Sequence, residues 1–162
     1  MKANFVTLLL IFIAYLSYKA NVQKSNDDRD RDHDKELLAQ ARTSLQWAYN
    51  ALTDDGATIP PRADRLNWLT SARHLLRTKT LADRIKNSTY RTIYDEIEEY
   101  WRGKFYGALS HDALRLWTYY ADEAKPHWPE KIEITSALII IDFLNWKKGA
   151  PDPTDAADRH ES

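Results

Sequence analysis

Phe5 to Leu16, FVTLLLIFIAYL, is apolar at every position except Thr7. A helix with no polar side has nothing to offer water, so such a run belongs in lipid, inside a core, or in a signal sequence that is later removed. Twelve residues rise only about 18 Å, short of the roughly 30 Å hydrocarbon layer. Lys2 and Lys19 extend the reach by snorkelling, and Tyr15 and Tyr18 suit a membrane interface. A cleavage site wants small residues at two positions one apart, and Tyr18 two before Ala20 is a poor match. Residues 1–22 are therefore read as a retained single-pass membrane anchor, held through Phe5 to Leu16. Secretion after signal cleavage and a cytoplasmic chain with a core helix are the alternatives. The basic residues flanking the run do not settle its orientation.

Residues 23–33 change character abruptly. Ser25 to Glu36, SNDDRDRDHDKE, carries no large apolar side chain and buries too little surface to offset its ordering entropy, which predicts a charged flexible linker. Its Asp28-x-Asp30-x-Asp32 spacing imitates a calcium loop. That loop requires Gly where His33 stands and a bidentate Glu where Ala39 stands.

Residues 34–149 are read as one helical domain. From Asp34, the expected N-cap, Leu38, Ala41, Leu45, Ala48 and Leu52 recur at alternating three and four, one helix face, ending before Asp54-Asp55-Gly56. After Ile59-Pro60-Pro61 a second helix over about 63–77 carries Leu66, Leu69, Ala72, Leu75 and Leu76, and Thr78-Lys79-Thr80 interrupts it. A short piece follows, then a helix from Ser88 to Arg102, with Asn87-Ser88 or Thr80 supplying caps. Its apolar face is Tyr90, Ile93, Ile97 and Trp101. Gly103 predicts a break, Ser110 a restart through Leu114, Trp117 and Ala121, and Pro126-His127-Trp128-Pro129 a stiff loop. Ala137 to Leu144 reads as a central helix buried nearly all round, with Lys147, Lys148 and Gly149 at its end. Residues 150–162 read as a disordered tail. Trp47, Trp68, Trp101, Trp117 and Trp146 each fall on a different predicted helix, as core pillars would, and Trp128 falls in the Pro loop. The fold class is all-α: an N-terminal hydrophobic, anchor-like helix plus a compact bundle of five or six short helices.

Composition narrows function mainly by exclusion. There is no cysteine, hence no disulfide framework, thiolate nucleophile or Cys-ligated metal. Four glycines, none before Gly56, leave no Gly-rich phosphate loop. The net charge of -1 makes no global case for nucleic acid. Locally, however, Arg62, Arg65, Arg73, Arg77, Lys79, Arg84, Lys86 and Arg91 meet only Asp64 and Asp83, and Asp95, Glu96, Glu98 and Glu99 follow at once. Arg73, Arg77, Arg84 and Lys86 are the candidate anion-binding residues, for phosphates of lipid headgroups or nucleic acid. The bland reading pairs these bases with the carboxylates that follow.

Bundle di-metal sites need a Glu followed three residues later by His on two helices. Glu96 and Glu99 are followed by Glu99 and Arg102. No catalytic, metal or cofactor residue is assigned, and the chain is read as non-enzymatic with no cofactor. Tyr100, Arg102, Phe105 and Tyr106, an aromatic and basic cluster of the kind found at interface hot spots, are the candidate contact with a protein partner. The leading expectation is a membrane-tethered protein-interaction module. The alternative is a helical binder of anionic surfaces or nucleic acid using Arg62 to Arg91.

Overall fold

The computed structural model describes residues 2–120 and 131–145, with side chains described from residue 12 onward, 14 and 117 excepted. Among these residues the fold is all-helical with no strand: α1 (Lys2–Thr53), α2 (Arg65–Ala82), α3 (Ser88–Leu109), a 3-10 turn (Asp112–Arg115), α4 (Trp117–Tyr120) and α5 (Ile134–Leu144). The Pro126 to Pro129 loop, Trp146, the expected C-terminal cap at 147–149 and the tail lie outside the described residues.

α1 is one unbroken helix of 52 residues, about 78 Å at 1.5 Å per residue. Residues 23–33, expected as a flexible tether, belong to it, and all of their side chains are exposed. Ordering entropy would prevail only if this segment had to nucleate its own helix. It does not, because it extends a helix already fixed by packing of the 37–52 stretch, and propagation is far easier than nucleation. No Gly or Pro precedes Gly56, and Asp27 with Arg31 and Asp32 with Lys35 stand four and three residues apart, spacings at which opposite charges support a helix. Asp34 is consequently inside α1 rather than at its N-cap.

The apolar tip does not fold back into the bundle. Phe12, Ile13, Tyr15, Leu16, Tyr18 and Val22 are all exposed, which overturns the core-helix alternative for these positions. Among the described residues no helix is long and apolar enough to cross a membrane, so the anchor expected at residues 1–22 finds no support there.

The core lies where α2 runs back along α1. Leu37, Ala41, Leu45, Ala48 and Leu52 meet Trp68, Ala72, Leu75, Leu81 and Ala82, and α3 and α5 close the cluster with Tyr94, Phe105, Ala137 and Ile140. α1 stops in three consecutive left-handed residues, Asp54, Asp55 and Gly56, the last with φ +85°. Thr53 braces that turn by donating to the Tyr49 carbonyl and accepting from the Gly56 amide. α2 starts where the Asp64 side chain accepts from Asn67 N, and α3 where Asn87 accepts from Thr89 N and Tyr90 N.

Several expected boundaries and faces shift. α2 continues through Thr78-Lys79-Thr80, because Thr78 and Thr80 turn their hydroxyls back onto the carbonyls of His74 and Leu76 and no longer compete with the backbone. Leu66 and Leu76 are exposed, their places in the core being taken by Trp68, Ser71 and Thr78. On α3 the buried line is Tyr94, Arg102, Phe105 and Ala108, with Ile93 exposed. α5 buries Ala137 and Ile140 but exposes Ile134, Leu138 and Ile141, so it is a flank and not a central pillar.

Gly103 does not break α3. With φ in the helical range and helix on both sides, its missing side chain is a conformational cost only, and Gly107 is alike. A Cβ at either position meets nothing within 4 Å. Gly103→Ala and Gly107→Ala are each expected to raise the unfolding free energy by about 0.5–1 kcal/mol, read from urea titrations of the full chain.

Candidate functional site

A cleft of about 490 Å³ lies between α2, α3 and the end of α5. Leu75, Ala82 and Phe143 give it apolar walls, and Tyr94, Glu98 and Arg102 form its polar side. These polar groups satisfy one another. The Tyr94 hydroxyl donates to Glu98 Oε1 at 3.0 Å, and Arg102 reaches Glu98 at 3.4 Å and Glu99 at 2.7 Å. Arg102 Nε also donates to the Phe143 carbonyl at 2.8 Å, and its guanidinium lies 5.5 Å from the centre of the Phe143 ring. Arg91 donates to the Ala82 carbonyl at 2.7 Å and pairs with Asp95 at 3.5 Å. The network ties α5 to α3 and α3 to the end of α2. Each of these groups is already engaged with a neighbour.

Burial, and then the neighbouring Glu98 carboxylate, push the Tyr94 phenol far above its ordinary value near 10. Burial pushes Tyr119 up to about 12; its hydroxyl donates to the Pro61 carbonyl at 2.7 Å. A raised folded value means that the unfolded chain loses these protons first. Their contribution to stability is therefore complete below about pH 10 and is lost as pH rises above it. Tyr94→Phe is expected to make the alkaline fall of the unfolding midpoint shallower, measured by denaturation across pH 9 to 12.

The predicted anion set divides into two places. Arg73 and Arg77 lie one turn apart on α2, whereas Arg84 and Lys86 occupy the α2–α3 turn beside α1. All four are exposed and none has a carboxylate partner among the described residues. The bland pairing with the acidic stretch of α3 is thus not made at these four. Arg91 takes Asp95, and Arg102 takes Glu98 and Glu99.

The aromatic and basic contact set also separates. Tyr100 and Tyr106 are 59% and 65% exposed, with the Lys104 ammonium 5.6 Å from the centre of the Tyr100 ring. Phe105 is fully buried and Arg102 nearly so; both face inward and cannot touch a partner. Residues one or two apart on a helix point to different sides, whereas those three or four apart share one, so a run of sequence neighbours is not one surface patch.

Two features lay beyond the sequence reading. Asp34, 3% exposed, accepts at Oδ2 from the backbone amides of Lys86 and Asn87 at 3.1 and 2.7 Å. Trp47 is 52% exposed instead of being a core pillar, and its indole packs against His74 with ring centres 5.5 Å apart. The Ser44 hydroxyl donates to the His74 carbonyl at 3.2 Å and lies 3.5 Å from its Nδ1. Burial, and then Arg77, lower the His74 pKa below the usual 6.5. Only the spacing from Trp47 to the buried Ala48 hints that Trp47 falls off the core face.

Among the described residues no group of three or more His, Asp or Glu is placed to hold a metal ion. Comparison with protein-family models, with curated proteins and with solved structures gave no match to this chain.

Proposed function

We propose that this chain is a membrane-tethered helical module: the tip of α1 inserts into a bilayer, and the rest of α1 holds the bundle away from it as a strut. The observation that carries the reading is that Phe12, Ile13, Tyr15, Leu16 and Tyr18 stand exposed on a helix continuous with the folded core. An apolar patch of that kind, uncovered by its own chain, calls for an apolar environment elsewhere. Continuity also enlarges the insertable length. Ala3 to Val22 as helix rises about 30 Å, with Lys19 placed to snorkel, compared with about 18 Å for Phe5 to Leu16 alone. Between Val22 and Asp34 the strut adds roughly 18 Å of exposed, charged helix.

The bundle is proposed to act by binding a protein partner without catalysis. Tyr100 and Lys104, one turn apart, supply its contact face on α3, in place of the four-residue cluster read from the sequence.

Flotation of the full chain with liposomes tests the tether. It is expected to float and to resist extraction by high salt, since insertion is apolar and not electrostatic. Phe12→Asp with Leu16→Asp is expected to leave it in the lipid-free fraction, each charge costing about 2.5–3.5 kcal/mol near the middle of an inserted helix. A wild-type chain recovered as a lipid-free soluble monomer overturns the proposal.

A further inference from the structure

A second surface, separate from the α1 tip and from the Tyr100 face, has the makings of a ligand site. Between α1 and α2 lies an open hollow of about 230 Å³ bordered by Glu36, Gln40, Ser44, Trp47 and Arg77. We propose that it binds a phosphate carried on a planar heteroaromatic ring, a nucleoside phosphate, with the ring stacked on Trp47 and the phosphate held by Arg77 and Arg73.

Three observations converge. Trp47 leaves half of its surface in water although Ala41, Leu45 and Ala48 of the same helix are completely buried. One of its edges is backed: His74 packs against it at 65° between ring planes, and the Ser44 hydroxyl lies 3.5 Å from His74 Nδ1. An exposed indole backed on one edge is a stacking platform for a flat ring, worth about 1–3 kcal/mol per base.

The cations beside it are free to act. Arg77 borders the hollow, Arg73 stands four residues earlier on the same helix face, and neither has a carboxylate partner among the described residues. Guanidinium forks suit phosphate oxygens and make charge-assisted hydrogen bonds to them. Glu36 is the one carboxylate on the rim, and its Oε1 already accepts from Gln40 Nε2 at 3.1 Å.

Size then fixes the class of ligand. A hollow below the roughly 300–1,000 Å³ of an enclosing small-molecule pocket takes one flat ring and leaves the charged remainder outside, where the arginines stand. A bare phosphate would use the arginines and leave Trp47 idle.

The test is equilibrium titration of the full chain with AMP, ATP, inorganic phosphate and a short single-stranded oligonucleotide, with circular dichroism to verify helix content of each variant. Nucleotide is expected to bind at least about fivefold more tightly than inorganic phosphate, the share of affinity that stacking supplies. Trp47→Ala is expected to weaken nucleotide binding by about 5- to 100-fold, with Trp47→Phe restoring most of it. Arg73→Glu with Arg77→Glu should abolish binding, and Arg84→Glu with Lys86→Glu should change it less than about twofold, being outside the hollow. An oligonucleotide binding more than about tenfold tighter than AMP assigns the ring to a strand; otherwise the ligand is the free nucleotide. Absence of binding at millimolar nucleotide, equal affinity for inorganic phosphate, or equal losses from the two double charge reversals overturns the proposal. Flotation is read on the same samples, so failure of this site and failure of the tether are seen separately.

Discussion

Phe105→Ala is expected to lower the unfolding free energy by about 3–5 kcal/mol, the range for emptying a fully buried aromatic position. Phe105 is 0% exposed and is the point at which three helices meet. Its ring stands edge-on to Tyr49 of α1 with centres 5.5 Å apart, and to Phe143 of α5 at 5.3 Å. Removing it opens a void that neither ring can fill without leaving its own neighbours, and dispersion contacts on all sides are lost together. Urea titration followed by near-ultraviolet dichroism of the full chain checks this. Tyr106→Ala, next in sequence but 65% exposed, should shift stability by no more than about 0.5 kcal/mol. Similar losses from the two variants would mean that α3 is rotated from the orientation described.

Asp34→Ala is the second large effect, at about 3 kcal/mol, taking about 1.5 kcal/mol for each charge-assisted hydrogen bond to a backbone amide. Asp34 Oδ2 receives both Lys86 N and Asn87 N, and Asn87 in turn caps α3 through Thr89 N and Tyr90 N. A single carboxylate inside α1 thus sets where α3 begins, and its charge also complements the positive end of the α3 dipole. Asp34→Asn keeps an acceptor oxygen but loses the charge, and should retain about half of the loss. Hydrogen exchange provides a local check, since the amides of Lys86 and Asn87 should exchange faster in Asp34→Ala, ahead of those in the middle of α2. Unchanged protection there would remove Asp34 from its bracing role.

Local rules were readable where the chain answers to itself. The alternating spacing of Ala41, Leu45, Ala48 and Leu52 placed the core face of α1, Asp54-Asp55-Gly56 marked its end, and Asn87 stood out as a cap. Helical character throughout followed from scarce glycine and from the 3.6-residue rhythm. The interrupting signals at Thr78-Lys79-Thr80 and Gly103 misled because each is a modest local preference, below or near 1 kcal/mol, and packing on either side outweighs it.

The candidate sites were less legible, since a surface is assembled from residues far apart in the chain. Arg102 looks like an interface cation until the Phe143 carbonyl, 41 residues on, draws it inward, and Asp34 looks like a cap until Lys86 and Asn87 arrive from 52 and 53 residues away. Trp47 and Arg77 become neighbours only because α2 doubles back on α1.

By itself, then, the amino-acid order determined that this protein is helical, where its longest helix stops, and that the helix opens with a dozen residues that water does not favour. Those are consequences of side-chain period, capping and hydrophobicity, which act within a few turns. Only the tertiary structure decided that the charged stretch continues as helix, which way Arg102 and Phe105 point, and which cations stay unpaired. Each of those depends on whether a partner from another helix reaches the side chain, and the rhythm of a single segment carries no information about that.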